Sequence, residues 1–220
     1  MARQKAKRIA DSEQKPNIIQ PGKPFFDACK GHWHQDYFKN DNPIVVELGC
    51  GKGEYTIGMA QQRPNANFLG CDLKGPRMWV GADYAVENNL RNTAFLRVQI
   101  QNLEMFFAPS EISEVWIPFP DPRSKDGDAK RRLTSPRFQE QLRRLLKPGG
   151  KIHLKTDNRE LYFYTLEVLA ETDCTITAAT DDLYNSSFFK LNYGIITYFE
   201  KRYLAKGQPI YFIQYHFNLP

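Results

Sequence analysis

The sequence predicts a doubly wound α/β fold with a mostly parallel sheet and a late antiparallel strand. Apolar runs and helical segments alternate five times along the chain, and the first run ends in glycines. The last segment, residues 210–217, instead alternates with period two after Gly207-Gln208-Pro209. Strand-helix alternation is typical of a parallel sheet with right-handed crossovers. Period two predicts an antiparallel strand at or near an edge.

The first half of the chain supplies three strands and two helices. Ile44–Leu48 is apolar and ends in glycines, as a buried strand entering a tight loop does. Residues 54–62 follow as a helix, and residues 67–73 form the second strand. We predict a helix at residues 77–90 and the third strand at residues 93–98.

Prolines and glycines bound the elements of the second half. Residues 114–119 form the fourth strand, because β-branched and aromatic residues precede a run of prolines. A helix begins at Ser135-Pro136, a capping residue followed by proline, and ends at Lys147-Pro148-Gly149-Gly150. Residues 152–156 are the fifth strand, and Asp157 or Asn158 caps the next helix.

Composition indicates one globular domain, residues 41–220, after a basic arm and lead-in at residues 1–40. Of the 220 residues, 41% are hydrophobic and 25% charged, and no run approaches the ~18 apolar residues of a membrane span. We therefore expect a cytoplasmic protein that does not contact membranes. The arm (Arg3, Lys5, Lys7, Arg8) is expected to be disordered, and a purely solubilising role for it stays open. The four cysteines are scattered, which suggests neither a metal site nor disulfides.

Candidate ligand-binding residues lie at the predicted carboxyl ends of the strands, where doubly wound sheets bind ligands. Four of these five positions are carboxylates. In chain order the five residues are Glu47, Asp72, Gln99, Asp121 and Asp157, of which only Gln99 is not a carboxylate.

The glycine loop after the first strand favours a nucleoside cofactor without a phosphate. Gly49, Gly51 and Gly53 form G-x-G-x-G, not the dinucleotide pattern G-x-G-x-x-G. Glu54 would repel a pyrophosphate at the following helix, whereas Asp72 can accept hydrogen bonds from ribose hydroxyls. A loop that is merely a tight turn is the alternative interpretation.

This region resembles the first motif of Rossmann-like class I S-adenosylmethionine-dependent methyltransferases. The resemblance implies S-adenosylmethionine as cofactor. The implied cofactor-binding residues are Glu47, Gly49, Gly51, Gly53, Asp72, Gln99 and Asp121.

Three prolines surround Asp121 at alternate positions, 118, 120 and 122. Each proline fixes its own φ and biases the preceding residue toward extended backbone, so Phe119 is predicted to be extended. The pattern indicates a stiff segment that displays the Asp121 carboxylate. A proline-rich loop that serves stability alone is the other possibility.

A second resemblance is to the tRNA (guanine-N7-)-methyltransferases. The motifs that carry it, in the family's order, are Phe119-Pro120-Asp121-Pro122, Lys125, Lys130-Arg131-Arg132, Phe138, Leu146-Lys147-Pro148-Gly149-Gly150, His153, Thr156-Asp157, Thr197-x-Phe199-Glu200 and Gly207. The resemblance covers roughly residues 40–217.

The family resemblance implies methyl transfer to N7 of a guanosine in tRNA, at position 46 of the variable loop. Asp121 is the implied catalytic residue. The implied nucleotide-binding residues are Lys125, Asp157, Thr197, Tyr198, Phe199 and Glu200, and those against tRNA phosphates are Lys130, Arg131 and Arg132. The implied partner is tRNA, with the protein acting as a monomer or homodimer.

Three departures from the family pattern leave alternatives open. Arg123 stands where the family usually has tryptophan, Gln99 where aspartate is common, and Lys125-Asp126-Gly127-Asp128 is unusually acidic. The rivals are a methyltransferase acting on another base or amine and a non-catalytic tRNA-binding module. Charge and pattern alone also allow Lys130 to Arg132 to be a solvated loop, and Thr197 and Glu200 to be surface residues of a strand.

Overall fold

The computed structural model describes the backbone of residues 2–219 and the side chains of residues 6–125 and 127–219. Eight strands form one sheet in the order β1-β4-β3-β2-β5-β6-β8-β7. The strands are β1 (Ile18–Ile19), β2 (Ile44–Leu48), β3 (Asn67–Asp72), β4 (Thr93–Arg97), β5 (Ile112–Pro118), β6 (Leu146–Thr156), β7 (Cys174–Thr180) and β8 (Tyr211–Phe217).

The sheet confirms the predicted fold class. Strands β1 to β6 pair in parallel, and β8 lies antiparallel between β6 and the edge strand β7. The strand order reverses at β2, which pairs with β3 on one side and β5 on the other. This reversal opens a crevice at the carboxyl ends of the strands, where ligands bind in such sheets.

Six α-helices accompany the sheet within the described chain. They are α1 (Ala2–Gln14), α2 (Glu54–Gln62), α3 (Gly75–Glu87), α4 (Pro136–Leu145), α5 (Arg159–Ala170) and α6 (Tyr198–Leu204). Helix α4 ends two residues earlier than predicted. Pro148, Gly149 and Gly150 instead lie in the irregular start of β6, where the register with β5 shifts.

The central strand β2 is buried on both faces, as its apolar run predicts. All five of its residues are buried, and two adjacent residues within it, Val45 and Val46, belong to different apolar clusters. Val45 shares its cluster with Met59 of α2, whereas the cluster of Val46 includes Leu142 of α4. Burial of alternating side chains between two helical layers fixes the register of β2 and the position of the loop that follows it.

The structure differs from the sequence analysis in two places, one expectation that is wrong and one strand that was missed. Residues 2–14 form helix α1 instead of a disordered arm, and the Arg8 guanidinium lies 5.0 Å from the ring centre of Trp79 in α3. The side chains of Arg3 and Lys5 lie outside the described part. Strand β7 was not predicted, because as an edge strand it buries few apolar side chains. No helix among the described residues has the length and apolarity that a membrane crossing requires.

Candidate active site

Two adjoining cavities lie at the carboxyl ends of β2, β3 and β5. They measure about 280 and 420 Å³ and share five lining residues, Gly49, Asp72, Arg77, Pro118 and Phe119. We refer to them as the first and second cavities. Helix α6 closes part of the first cavity, and the Asp121 loop borders the second.

The glycine loop forms a wall of the first cavity and has a backbone conformation that residues with a side chain rarely adopt. Gly49, Gly51 and Gly53 all have positive φ, and a Cβ on Gly53 would lie 2.6 Å from the Phe95 ring. The Gly51 amide donates to Asp72 Oδ2 at 2.9 Å. Positive φ favours glycine at all three positions, and at Gly53 the packing also excludes a side chain, so the sequence pattern has a direct structural cause.

Glu47 lies buried beneath the glycine loop and lines the first cavity. Its Oε2 accepts hydrogen bonds from the backbone amide of Thr56, at 2.8 Å, and from the Thr56 hydroxyl. Burial raises the pKa of the Glu47 carboxyl to about 8, although both hydrogen bonds oppose this rise. At neutral pH the group is therefore largely protonated and can donate as well as accept a hydrogen bond.

Asp72, Gln99 and Asp121 converge on the second cavity, as their positions at the strand ends predict. Asp72 is tied to the loops around it, because its Oδ1 accepts from the Lys74 amide at 2.8 Å. Gln99 is exposed just beyond β4. These side chains therefore offer polar groups on several sides of one cavity.

Asp121 lies on the loop after β5, with a side chain that is 69% exposed. Its Oδ1 accepts from the Arg123 amide at 3.2 Å, and Oδ2 lies 3.6 Å from Arg123 Nε. Arg123, which stands where the family usually has tryptophan, thus directly contacts Asp121, the expected catalytic residue. Both contacts of Asp121 with Arg123 lie within one short loop.

The prediction of extended backbone at Phe119 is wrong, because its φ is +51°. The Phe119 amide donates to the Lys155 carbonyl at 2.7 Å, and its ring lies 5.9 Å from that of Tyr203 in α6. These long-range contacts offset the steric cost that this backbone has for a non-glycine residue before proline. Strained backbone of this kind is concentrated at functional sites.

Arg132 is only half-exposed, and its guanidinium is engaged by the Asp121 loop. Its Nε donates to the Pro122 carbonyl at 3.0 Å, and its guanidinium lies 4.2 Å from the ring centre of Tyr164. Another nitrogen donates to the Arg123 carbonyl. Arg132 therefore supports the Asp121 loop. Lys130 and Arg131 are exposed, although Arg131 pairs with Asp128 at 3.1 Å.

The remaining predicted substrate residues lie in two places. Thr197, Tyr198 and Phe199 line the first cavity, together with the glycine loop. Lys125 and Asp157 line neither of the two cavities. Lys125 is exposed, whereas Asp157 is half-buried beside the phenol of Tyr203, whose pKa is raised by burial and by that carboxylate.

The segment at residues 197–200 begins helix α6 and is not part of a strand. Thr197 caps the helix, with its hydroxyl accepting from the Glu200 amide and its own amide donating to the Glu200 carboxylate. The Tyr198 amide donates to the Glu54 carboxylate, beside the glycine loop. Capping and this contact place the exposed Tyr198 and Phe199 rings at the cavity mouth.

Glu200 is fully buried, so the substrate contact that the resemblance implies does not fit its position. Its Oε1 lies 2.5 Å from the Lys155 ammonium and accepts from the Tyr184 hydroxyl. Lys155 is equally buried, and its ammonium also donates to Asn192. Burial lowers the pKa of Lys155 to about 8, and Glu200 acts against this shift. We assign Glu200 a structural role, holding α6 to β6.

Three residues that border the site were not identified from the sequence. Arg77 lines both cavities, Lys155 anchors α6, and a Cβ on Gly81 in α3 would lie 2.5 Å from the carbonyl oxygen of Lys52 in the glycine loop. The sequence could have indicated Gly81, because an isolated glycine inside a predicted helix often marks a place where another segment packs closely against the helix. No feature of the sequence distinguishes Arg77 and Lys155 from cations on the protein surface.

Comparison with known proteins gives a family and close relatives. Residues 41–213 match the family model described as "Putative methyltransferase". A tRNA (guanine-N(7)-)-methyltransferase from Cytophaga hutchinsonii is 46% identical over 99% of both chains. Proteins of the same name from Bacteroides fragilis and Listeria monocytogenes are 41% and 38% identical, over 98% and 86% of this chain and 86% of each relative.

Solved structures share the fold at much lower identity. The 16S rRNA methyltransferase KamB superposes with a TM-score of 0.66, at 15% identity over 90% of this chain and 96% of that one. A 16S rRNA (adenine(1408)-N(1))-methyltransferase variant, solved with its cosubstrate SAM, gives a TM-score of 0.57 at 15% identity, over 86% and 92% of the two chains. At this identity the likeness shows the fold alone.

Proposed function

The chain belongs to the tRNA (guanine-N(7)-)-methyltransferase family, and we propose that it transfers a methyl group from S-adenosylmethionine to N7 of a guanosine in tRNA. The observation that carries the proposal is the 46% identity, over 99% of both chains, to a relative of that name. The geometry supports it, since the strand-end side chains line two adjoining cavities.

The residues of the first cavity fit a nucleoside cofactor such as S-adenosylmethionine. A Cβ on Gly49 would meet no atom within 4 Å, so the backbone here faces open space that a ligand can approach closely. Asp72 offers acceptors for ribose hydroxyls, Glu47 offers a further polar contact, and Gln99 offers one from the adjoining second cavity. When bound, the cofactor supplies an electrophilic methyl group.

Guanine N7 carries a free lone pair and needs no deprotonation, so the protein's task is to position the base and stabilise charge. In our proposal, Asp121 accepts hydrogen bonds from the N1–H and N2 amine of the guanine. Its negative charge also stabilises the cationic product. The exposed rings of Tyr198 and Phe199 at the cavity mouth provide surfaces on which a base can stack.

The target within tRNA is proposed as the guanosine at position 46, in the variable loop. A single-stranded loop suits a site of this kind, because unstacked bases can enter a pocket that a duplex cannot reach. The exposed Lys130 and Arg131 contact the surrounding phosphates, which positions the RNA without reading its sequence.

Nucleoside mass spectrometry tests the proposal. Unmodified tRNA is incubated with the protein and S-adenosylmethionine, digested and analysed for 7-methylguanosine. We expect one such residue per tRNA, and none in a transcript with adenosine at position 46. A different methylated nucleoside would instead support the rival methyltransferase, and absence of both methylation and cofactor binding would support a tRNA-binding module.

A further inference from the structure

A third cavity of about 950 Å³ lies between helix α1 and the beginning of α3. Helix α1 and the residues that follow it are held against α3 by three polar contacts. Trp79 Nε1 donates to Asp11 Oδ2 at 2.5 Å, and Lys15 pairs with Asp83. The amide of Asn17 donates to the Ala82 carbonyl at 2.9 Å. The walls of this cavity, which we call the α1 groove, are therefore fixed relative to the sheet.

The α1 groove is basic. Four cations line it, namely Arg8, Lys74, Arg77 and Arg97, against one carboxylate, Glu13. Among the described side chains, none of the four cations forms an ion pair. Cations that lack a carboxylate partner in an open concave surface create a positive potential that attracts anions.

The α1 groove is continuous with the candidate active site. Leu73, Lys74 and Arg77 line both the groove and the second cavity. In turn, the second cavity shares Gln101 and Arg131 with a fourth cavity of about 370 Å³ beside α4. A chain of depressions thus runs from α1, past Asp121, to the basic loop after β5.

The α1 groove also differs from a site for a small anion. It has more than twice the volume of either active-site cavity, and its rim carries two exposed apolar side chains, Ile9 and Leu73. Spread cations with interspersed apolar surface suit a polymer that presents phosphates, riboses and bases in turn.

We propose that the α1 groove binds the sugar-phosphate backbone of the tRNA substrate, as a contact surface separate from Lys130 and Arg131. The inference rests on the proposed function for the identity of the RNA. It assigns the N-terminal helix a role in substrate binding, and places RNA contacts on two branches of the depression that meet at the Asp121 loop.

The test is tRNA affinity, measured by fluorescence anisotropy between about 50 and 200 mM salt, for the variant Arg8→Gln/Arg97→Gln. Neither residue lines the first or second cavity. Each phosphate contact contributes about 0.7–0.9 to the slope of log Kd against log salt. Between about 50 and 200 mM salt, the affinity of the double variant for tRNA should therefore fall by about tenfold less than that of the unchanged protein.

The matched control is Arg91→Gln/Lys190→Gln, which removes the same charge from exposed positions that line none of the four cavities. We expect its salt slope to equal that of the unchanged protein. Because Arg8 also packs over Trp79, Arg97→Gln alone serves as a second variant and should reduce the slope by about half as much. A wild-type slope in Arg97→Gln and in the double variant would overturn the proposal.

Failure of the proposed function would be seen in a different measurement. If the unchanged protein forms no 7-methylguanosine, the assigned reaction is wrong, whatever the binding data show. If 7-methylguanosine forms normally while the variants bind tRNA with unaltered slopes, only the α1 groove is wrong.

Discussion

Breaking the buried ion pair between Glu200 and Lys155 distinguishes the structural assignment of Glu200 from the substrate-binding role that the family resemblance implies. Both side chains have zero exposure, and Glu200 Oε1 lies 2.5 Å from the ammonium. Glu200→Gln keeps the shape of the side chain but leaves the Lys155 charge buried without its counter-ion. Removing one partner of such a pair costs about 3–5 kcal/mol.

The predicted loss is large enough to measure by urea or thermal denaturation. For a chain of this size, 1 kcal/mol corresponds to about 2–4 °C in Tm, so Glu200→Gln should melt about 6–20 °C lower. The double variant Lys155→Met/Glu200→Gln should recover part of this loss, because no unpaired charge remains inside.

An exposed pair supplies the control. Glu140 and Arg144 lie 3.1 Å apart on the surface of α4, with side chains about half exposed, so Glu140→Gln should change stability by less than about 0.5 kcal/mol. Wild-type stability in Glu200→Gln, together with weakened tRNA binding, would refute the structural assignment. It would restore Glu200 to the substrate site.

Four further predictions concern the loops and the cofactor side of the site. Asp121→Ala should abolish methyl transfer while Tm changes little, since its side chain is largely exposed; near-normal turnover would contradict its catalytic role. Lys130→Gln/Arg131→Gln should weaken tRNA binding and flatten its salt dependence, measured by anisotropy. Gly81→Ala should destabilise the protein by about 1–3 kcal/mol in urea, because the new Cβ would lie 2.5 Å from a carbonyl of the glycine loop. Glu47 has a folded pKa of about 8, raised from 4.5, so its stabilising contribution is full below about pH 4.5 and is lost as pH rises through about 8. Glu47→Gln should remove this loss, and Tm at pH 5 and pH 8 measures it.

Two variants serve as controls for these predictions. Gly127→Ala should leave stability unchanged, since a Cβ there would meet nothing within 4 Å. Arg132→Gln should lower the rate of methyl transfer with little effect on the salt slope, because its guanidinium holds the Pro122 and Arg123 carbonyls and not a phosphate. A slope change as large as that of Lys130→Gln/Arg131→Gln would show that Arg132 contacts RNA after all.

Much of the fold was predictable from local sequence. Alternating apolar and amphipathic segments predict strands β2 to β6 and the helices between them, because backbone geometry and burial impose fixed periods on each element. The carboxylates at the strand ends follow from the same reasoning, since parallel strands in a doubly wound sheet present their carboxyl ends to one crevice. Asp72, Gln99 and Asp121 do line one cavity.

The sequence by itself thus determined the succession of strands β2 to β6 along the chain, the glycine loop and the strand-end positions of the candidate site, all of which depend on residues near each other in the chain. Tertiary structure alone decided that Glu200 pairs with Lys155, that Arg132 supports the Asp121 loop, and that α1 packs on α3. The partners in these contacts are mostly far apart in the chain, and a charged side chain has the same local signature whether it faces water, RNA or a buried counter-ion. Only burial distinguishes these three fates, and burial is a property of the assembled fold.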